Sequence, residues 1–233
     1  MRLFSRLFVM RSLHITLILC LSTAWLVAYG QEGKTLQNGD APVDSAKKAN
    51  TRPVEKQTNA TEPFDGVSIE KMSQQCVALE TESGVIVIEM LAETAPETVR
   101  NFLNLAATGM FNTTTFSRVV KGFVIQGGNL ATSQKITEAL ALRSRRTIMD
   151  EPNAVKHERG IVSMARPDSP NGATTNFFIL VDEASQLDGK FAAFGRVKSG
   201  MEIVDVINKA PAEGEKPEKP VRITRVIVAE CAK

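Results

Sequence analysis

Residues 116–129 read FSRVVKGFVIQGGN. The run is too short and too broken by glycine for a buried helix, and too rich in strand formers for a loose loop. Two short strands meeting at Lys121-Gly122 is the natural local reading. A permanently charged side chain, Arg118, stands third in this apolar run. Taken alone it reads as a surface arginine whose stem covers the core while its head reaches solvent. Whether it does more depends on the rest of the chain.

At 233 residues the chain has room for one domain of ordinary size plus additional segments. A hydrophobic share of 43% and a charged share of 23% belong to a globular protein able to bury a core. With a net charge of +2 and no long basic run, nucleic acid is not an expected partner. The densest basic cluster, RSRR at 143–146, reads as a solvated loop. Reactive groups are scarce: the two histidines, His14 and His157, lie far apart in sequence. No HExxH, CxxC, GxxxxGK[ST] or GxSxG occurs, so zinc-hydrolase, P-loop and serine-hydrolase chemistry have no motif. Neither a metal nor a cofactor is expected.

The N-terminus carries Arg2, Arg6 and Arg11, then the apolar segment LHITLILCLSTAWLVAYG. Positive region, apolar region, then small residues at Ala28 and Gly30 is the layout of a secretory signal over residues 1–30, with cleavage before Gln31. The apolar run is slightly short for a span of about 20 residues, so contact with a membrane is expected only if the segment stays uncleaved. Cys20 lacks the small residue before it that a lipoprotein cysteine has. The protein therefore reads as exported, with the periplasm as destination. Export leaves two cysteines, Cys76 and Cys231, and an even pair in an oxidising compartment is a disulfide candidate. Two buried thiols is the alternative.

From 31 to 72 the composition turns to Lys, Glu, Asn, Thr, Pro and Gly, with few large apolar residues. Such a segment buries too little apolar area to offset its ordering entropy and reads as a flexible tether. Residues 73–233 read as one domain. CVALET (76–81) and VIVIEM (85–90) are strands joined at Ser83-Gly84. In ETAPETVRNFLNLAATG the period changes: Val99, Phe102, Leu103 and Ala106 fall at helical spacing, Thr94 or Glu93 can cap, and Pro96 suits the first turn. A polar irregular stretch fills 127–159. IVSMAR (161–166), NFFILV (176–181) and AAFGRV (192–197) resume the strand pattern; MEIVDVINKA (201–210) is a short amphipathic helix and VRITRVIVAE (221–230) a closing strand. Many short strands with two helices predict a mainly β fold, a closed or nearly closed antiparallel barrel capped by the helices. Cys76 and Cys231 would then lie on the first and last strands, which closure could place side by side.

Four segments, in order, resemble one family. FSRVVKGFVIQGGN is similar to the FHRVxxGFxxQGG signature of cyclophilins, the peptidyl-prolyl cis-trans isomerases. GIVSMARPDSPNGATTNFFILV, LDGKFAAFGRVKSGMEIVDVI and APETVRNFLNLAATGMFNTTTF resemble three further cyclophilin segments, and the likeness runs from about Val77 to Val228. The short link between the QGG and SMA segments looks like the bacterial exported branch. The resemblance implies an eight-stranded barrel with its active groove on the outer face. It implies that Arg118, Phe123 and Gln126 are catalytic, and that Val124, Ala165, Arg166, Asn176, Phe178, Leu187 and Phe191 bind the substrate. The expected partners are proline-containing polypeptides, met by a monomer. Departures are Ser117 and Phe191 where histidine is frequent, Asn176 for glutamine, Gln186 for tryptophan and Val124 for methionine. They put substrate preference in doubt and imply weak cyclosporin binding, while the central arginine, phenylalanine and glutamine are kept.

These residue types suit rotation about an X-Pro bond. Amide resonance makes a barrier of about 18–20 kcal/mol, while the isomers differ by only about 0.5–1 kcal/mol. No bond is broken, so no nucleophile, metal or titrating base is required. An apolar seat for the proline ring and a fixed donor for the twisted amide suffice. A module that docks proline-containing segments, or a holdase, with catalysis incidental is the alternative, and it would not require the arginine. A carrier using a hollow barrel is disfavoured by large residues at inward positions.

Overall fold

Glycine and β-branched residues dictate the first hairpin. β1 (Gln75–Thr81) and β2 (Gly84–Met90) pair antiparallel over the turn at Glu82-Ser83. On β2 the side chains alternate, with Ile86, Ile88 and Met90 buried and Val85 exposed, as period two demands of a sheet with one face on a core. The computed structural model describes residues 61–232. The expected signal segment and the expected tether as far as residue 60 lie outside the described residues.

The other sheet strands are β3 (Arg118–Val120), β4 (Val124–Gly127), β5 (Ile161–Met164), β6 (Phe177–Leu180), β7 (Ala193–Ser199) and, after a two-stranded ribbon of β8 (Ala212–Glu213) and β9 (Lys216–Pro217), β10 (Ile223–Glu230). They hydrogen-bond in the order β10-β1-β2-β7-β5-β6-β4-β3, every pair antiparallel. The fold is mainly β, with eight strands, as expected. Complete closure is not what the ladders show: the sheet is curled into a half-barrel, and its end strands share no ladder. The segments just before β3 and β10 are joined by a bridge between Thr115 and Arg222 and by the bonds Phe116 N–H to Val221 O and Ile223 N–H to Thr114 O.

Two helices face the sheet, α2 (Pro96–Ala107) against β7 and β10, and α4 (Met201–Lys209) against β2, β3 and β4. The concave interior is filled by aromatic rings. Phe102 on α2 lies 5.2 Å from Phe111, 5.2 Å from Phe177 and 4.8 Å from Phe194, centroid to centroid. That packing leaves no place for the ligand of a hollow carrier.

Three local expectations are corrected. The folded unit begins earlier than residue 73: Phe64 and Val67 pack on the core, and α1 (Ile69–Ser73) buries Met72 completely. Arg100 holds this segment by donating to the carbonyls of Phe64 and Val67. Three apolar residues spaced among polar ones were enough to anchor it, although the average composition pointed to a tether. Neither Thr94 nor Glu93 caps α2; the carboxylate of Glu151 does, accepting from Glu97 N–H at 3.1 Å and Thr98 N–H at 2.7 Å. Within the stretch expected to be irregular, Thr137 caps a further short helix, α3 (Glu138–Arg143).

Cys76 on β1 and Cys231, just past β10, are joined in a disulfide. The β1–β10 ladder sets this up by pairing Cys76 with Ala229. The intact mass under non-reducing conditions should lie about two mass units below that of the dithiol, one hydrogen being lost per sulfur. Reduction should destabilise the protein by roughly 2–5 kcal/mol, the usual range for native disulfides; a denaturant midpoint indifferent to reductant would contradict this. Met72→Ala should cost about 2–5 kcal/mol, as expected of a large-to-small change in a core.

Candidate active site

The residues of the opening run are sorted by strand register. Val119 on β3 stands opposite Ile125 on β4, which faces Ile179 on β6, which faces Val162 on β5. All four are buried in the main core. One position along, the same strands align Arg118, Gln126, Phe178 and Ser163. Because successive side chains point to opposite faces, this second row lies on the sheet's convex side. A second apolar cluster covers it there: Val124, Ile161, Phe178, Leu180, Ala184 and Ala193, with Phe123, Ala165, Leu187 and Phe191 packed on them. The adjacent pair Phe177 and Phe178 is thus divided, Phe177 to the core and Phe178 to the outer cluster.

Above that cluster runs a shallow groove of about 250 Å³, lined by Arg118, Phe123, Val124, Gln126, Ala165, Arg166, Phe178, Leu187 and Phe191. Nine of the ten residues expected from the sequence line it together. Asn176 is not part of the lining; it is half-buried beside it, and its carbonyl accepts the Ala165 N–H at 2.9 Å. Phe178 and Phe191 meet edge to face at 5.7 Å, and the Arg166 guanidinium lies 5.4 Å from the Phe191 ring, within cation–π range. The glycine pair closing the run has a steric reason. Gly128 has φ +82°, and a Cβ there would collide with the carbonyl of Thr175.

Arg118 is held at the groove's edge. Its Nη1 donates to Gln126 Oε1 at 3.2 Å, while Nε and Nη2 donate to the two carboxylate oxygens of Glu215 at 2.7 and 3.1 Å. The hydrogen bonds and charge of Arg118 hold the Glu215 carboxyl below its usual range. The turn between β3 and β4, which carries Phe123, is clamped by Asn208 of α4. Its side chain accepts from Gly122 N–H and donates to the carbonyls of Val120 and Val124. Sequence reasoning missed both Glu215 and Asn208. Asn208 left a signal, a polar residue at the buried spacing of Val204 and Ile207; Glu215 left none, since only the folding of the β8–β9 ribbon onto β3 brings it near Arg118.

The sequence model described as "Cyclophilin type peptidyl-prolyl cis-trans isomerase/CLD" matches residues 76–228. The chain belongs to the cyclophilin family. A peptidyl-prolyl cis-trans isomerase of Acinetobacter baylyi is 33% identical over 171 residues, 69% of this chain and 88% of the relative. Peptidyl-prolyl cis-trans isomerase B of Escherichia coli is 36% identical over 169 residues, 66% of this chain and 99% of the relative. Among solved structures, a cyclophilin-type isomerase of Cryptosporidium parvum, solved in the presence of the dipeptide Ala-Pro, is similar with a TM-score of 0.59. It is 30% identical, over 67% of this chain and 99% of that one.

Beneath the cyclophilin groove a polar chain runs from the buried Ser163 and His157 to the half-buried Asp188. Ser163 Oγ and His157 Nε2 are 3.0 Å apart, and His157 Nδ1 and Asp188 Oδ1 3.2 Å. The order serine–histidine–aspartate resembles a hydrolase triad, but Ser163 is fully buried, so no substrate carbonyl can reach it. Its work is structural. Asp188 also accepts from the backbone N–H of His157 and from Lys156 Nζ, which fixes the short 3₁₀ turn Ser185–Leu187 and with it one wall of the groove.

Burial holds the His157 imidazole below its ordinary value, although Asp188 pulls the other way. The His157 backbone and Lys156 hold the Asp188 carboxyl down at about 2. Both groups bind fewer protons when folded, so each contributes stability that acid removes. The loss begins as pH falls below about 6.5, the ordinary imidazole value, and continues from about 3.8 toward 2 as Asp188 is protonated. The urea midpoint should therefore fall between pH 7.5 and 5, and His157→Asn should flatten that slope. A midpoint constant over this range would contradict the assignment.

Proposed function

We propose that this protein accelerates rotation about X-Pro bonds in polypeptides by non-covalent stabilisation of the twisted amide. The observation that carries the reading is a charged fork fixed at the edge of an apolar seat: Arg118, held by two partners, beside Phe123, Val124, Phe178, Leu187 and Phe191. The proline ring sits on the aromatic and aliphatic floor, where water is scarce. As the bond twists, the nitrogen loses conjugation and gains a lone pair. A guanidinium N–H directed at that atom bonds the twisted state better than either planar one, which accelerates both directions. Gln126, with the backbone near Ala165 and Asn176, aligns the peptide. A module that only docks proline-containing segments would use the same seat and would not need the arginine.

We further infer that the protein works outside the cytoplasm, in the periplasm of a bacterium, acting on exported proteins as a monomer. The charged-then-apolar N-terminus and the cysteine pair Cys76–Cys231 support this reading. Among the described residues no helix is long and apolar enough to cross a membrane, so membrane attachment would rest on the first 30 residues. N-terminal sequencing of the mature protein should begin at Gln31 if the segment is cleaved there.

A prolyl-peptide isomerisation assay tests the activity. Wild type should exceed the uncatalysed rate, and Arg118→Ala should lower kcat/KM by about 100-fold or more, the scale on which other enzymes feel the loss of one preorganised donor. An Arg118→Ala variant as active as wild type would sink the reading. Phe178→Ala should act chiefly by raising KM.

A further inference from the structure

Arg118 is the donor on which the proposed reaction turns, yet arginine has a long, rotatable side chain, and this one is 40% exposed. Something must fix its direction. Gln126 engages only Nη1, at 3.2 Å. The side-on pair, Nε and Nη2, is taken by both oxygens of the Glu215 carboxylate at 2.7 and 3.1 Å. Planar bidentate pairing of this kind sets orientation as well as attraction.

The carboxylate is itself anchored. Glu215 is the second of two residues turning between β8 and β9, whose pairing sets Ala212 opposite Pro217 and Glu213 opposite Lys216. The first turn residue, Gly214, has φ +59°, a value that favours glycine and suits a two-residue hairpin turn. The Glu215 carbonyl accepts the Val119 N–H at 2.8 Å, so the hairpin tip is tied to the strand that carries Arg118. Backbone and side chain of one residue thus hold consecutive residues of β3.

A guanidinium has five N–H donors. Glu215 occupies two and Gln126 one, which leaves one on each terminal nitrogen for an incoming peptide. We infer that Glu215 is a positioning residue for the isomerase reaction, holding the Arg118 fork so that its two free N–H groups face the proline seat. The assignment rests on the function proposed above. A carboxylate also weakens the pull of the cation it pairs with. The pair is open to water, which screens that loss, whereas orientation is not screened.

The test uses the full chain and three variants, Glu215→Gln, Glu215→Ala and Arg118→Ala, with kcat and KM measured separately on a prolyl peptide. Glu215→Gln should lower kcat by about three- to fivefold, the range set by an exposed ion pair, with KM nearly unchanged and the melting temperature that of wild type. Glu215→Ala should lower kcat at least as much. In NMR the Arg118 Nε–H signal, sharp in wild type, should broaden or vanish in Glu215→Gln. Salt at about 1 M should reduce wild-type kcat toward the Glu215→Gln value and affect the variant less. A Glu215→Gln enzyme with kcat equal to or above wild type, or with an unaltered Arg118 Nε–H signal, overturns the inference. If Arg118→Ala is inactive while Glu215→Gln matches wild type, only this inference fails. If Arg118→Ala matches wild type, the proposed function fails with it.

Discussion

Everything in the groove depends on the register of four neighbouring strands. Once Val119, Ile125, Ile179 and Val162 share a row on the core side, Arg118, Gln126, Phe178 and Ser163 must share the next row on the other side. A slip of one residue on β4 would exchange Gln126 for Ile125 and turn the apolar row to solvent. The main core therefore does two jobs. Burying its own row of aliphatic side chains prevents slippage, and that same restriction aligns an arginine, a glutamine and a phenylalanine across three strands. The site is stabilised from behind, by residues that never touch a substrate.

A sheet aligns side chains across strands but does not support the loops at its rim. Three buried or half-buried polar clamps do that. Asn208 satisfies three backbone groups of the β3–β4 turn, so that Phe123 projects from a fixed arc. Asp188 gathers the His157 backbone, the His157 ring and Lys156, and so places Leu187. Glu151 caps α2, whose Phe102 lies at the centre of the aromatic cluster under Phe177. Each clamp joins segments distant in sequence, and each leaves backbone groups without partners if removed, which is costlier than the bond itself is stabilising.

That distance marks what the sequence made legible. The Arg118, Phe123 and Gln126 set lies in one contiguous run, yet pattern alone left Arg118 a surface arginine, and the set was assigned only through the likeness of four ordered segments to one family. Alternation requires Phe177 and Phe178 to face opposite ways, but which of them faces the groove came from the family resemblance. The cap of α2 could not be read: Thr94 stood at the right place, but its hydroxyl bonds Leu91 and Ala193 carbonyls, and Glu151 lies more than fifty residues away. Windowed composition hid the start of the fold, since Phe64, Val67 and Met72 are sparse among polar residues and anchor through tertiary contacts. The degree of barrel closure was not legible, because alternation identifies strands and says nothing of whether the last meets the first in a ladder. Glu215 was invisible for a related reason. A charged residue in a turn looks like any solvated residue until the ribbon carrying it is docked.

The charge pattern of the groove follows from the same arrangement. His157 could alter its charge near neutral pH, but it is buried beneath the groove and burial resists its protonation. Asp188 and Glu215 are both held below the usual carboxylate range by their donors, and a guanidinium stays charged throughout. The electrostatic field at the proline seat is therefore constant where a titrating acid or base would make it vary. That constancy suits a rotation, which transfers no proton and needs the same donor in both directions. A peptide lying over Phe123, Phe178 and Phe191 would also displace water from the Arg118 side of the groove, lowering the local dielectric and strengthening the donor only while substrate is present. Exposure of the free groove and strength of the occupied one are thus compatible, and a shallow site can stabilise a strained amide without being a cavity.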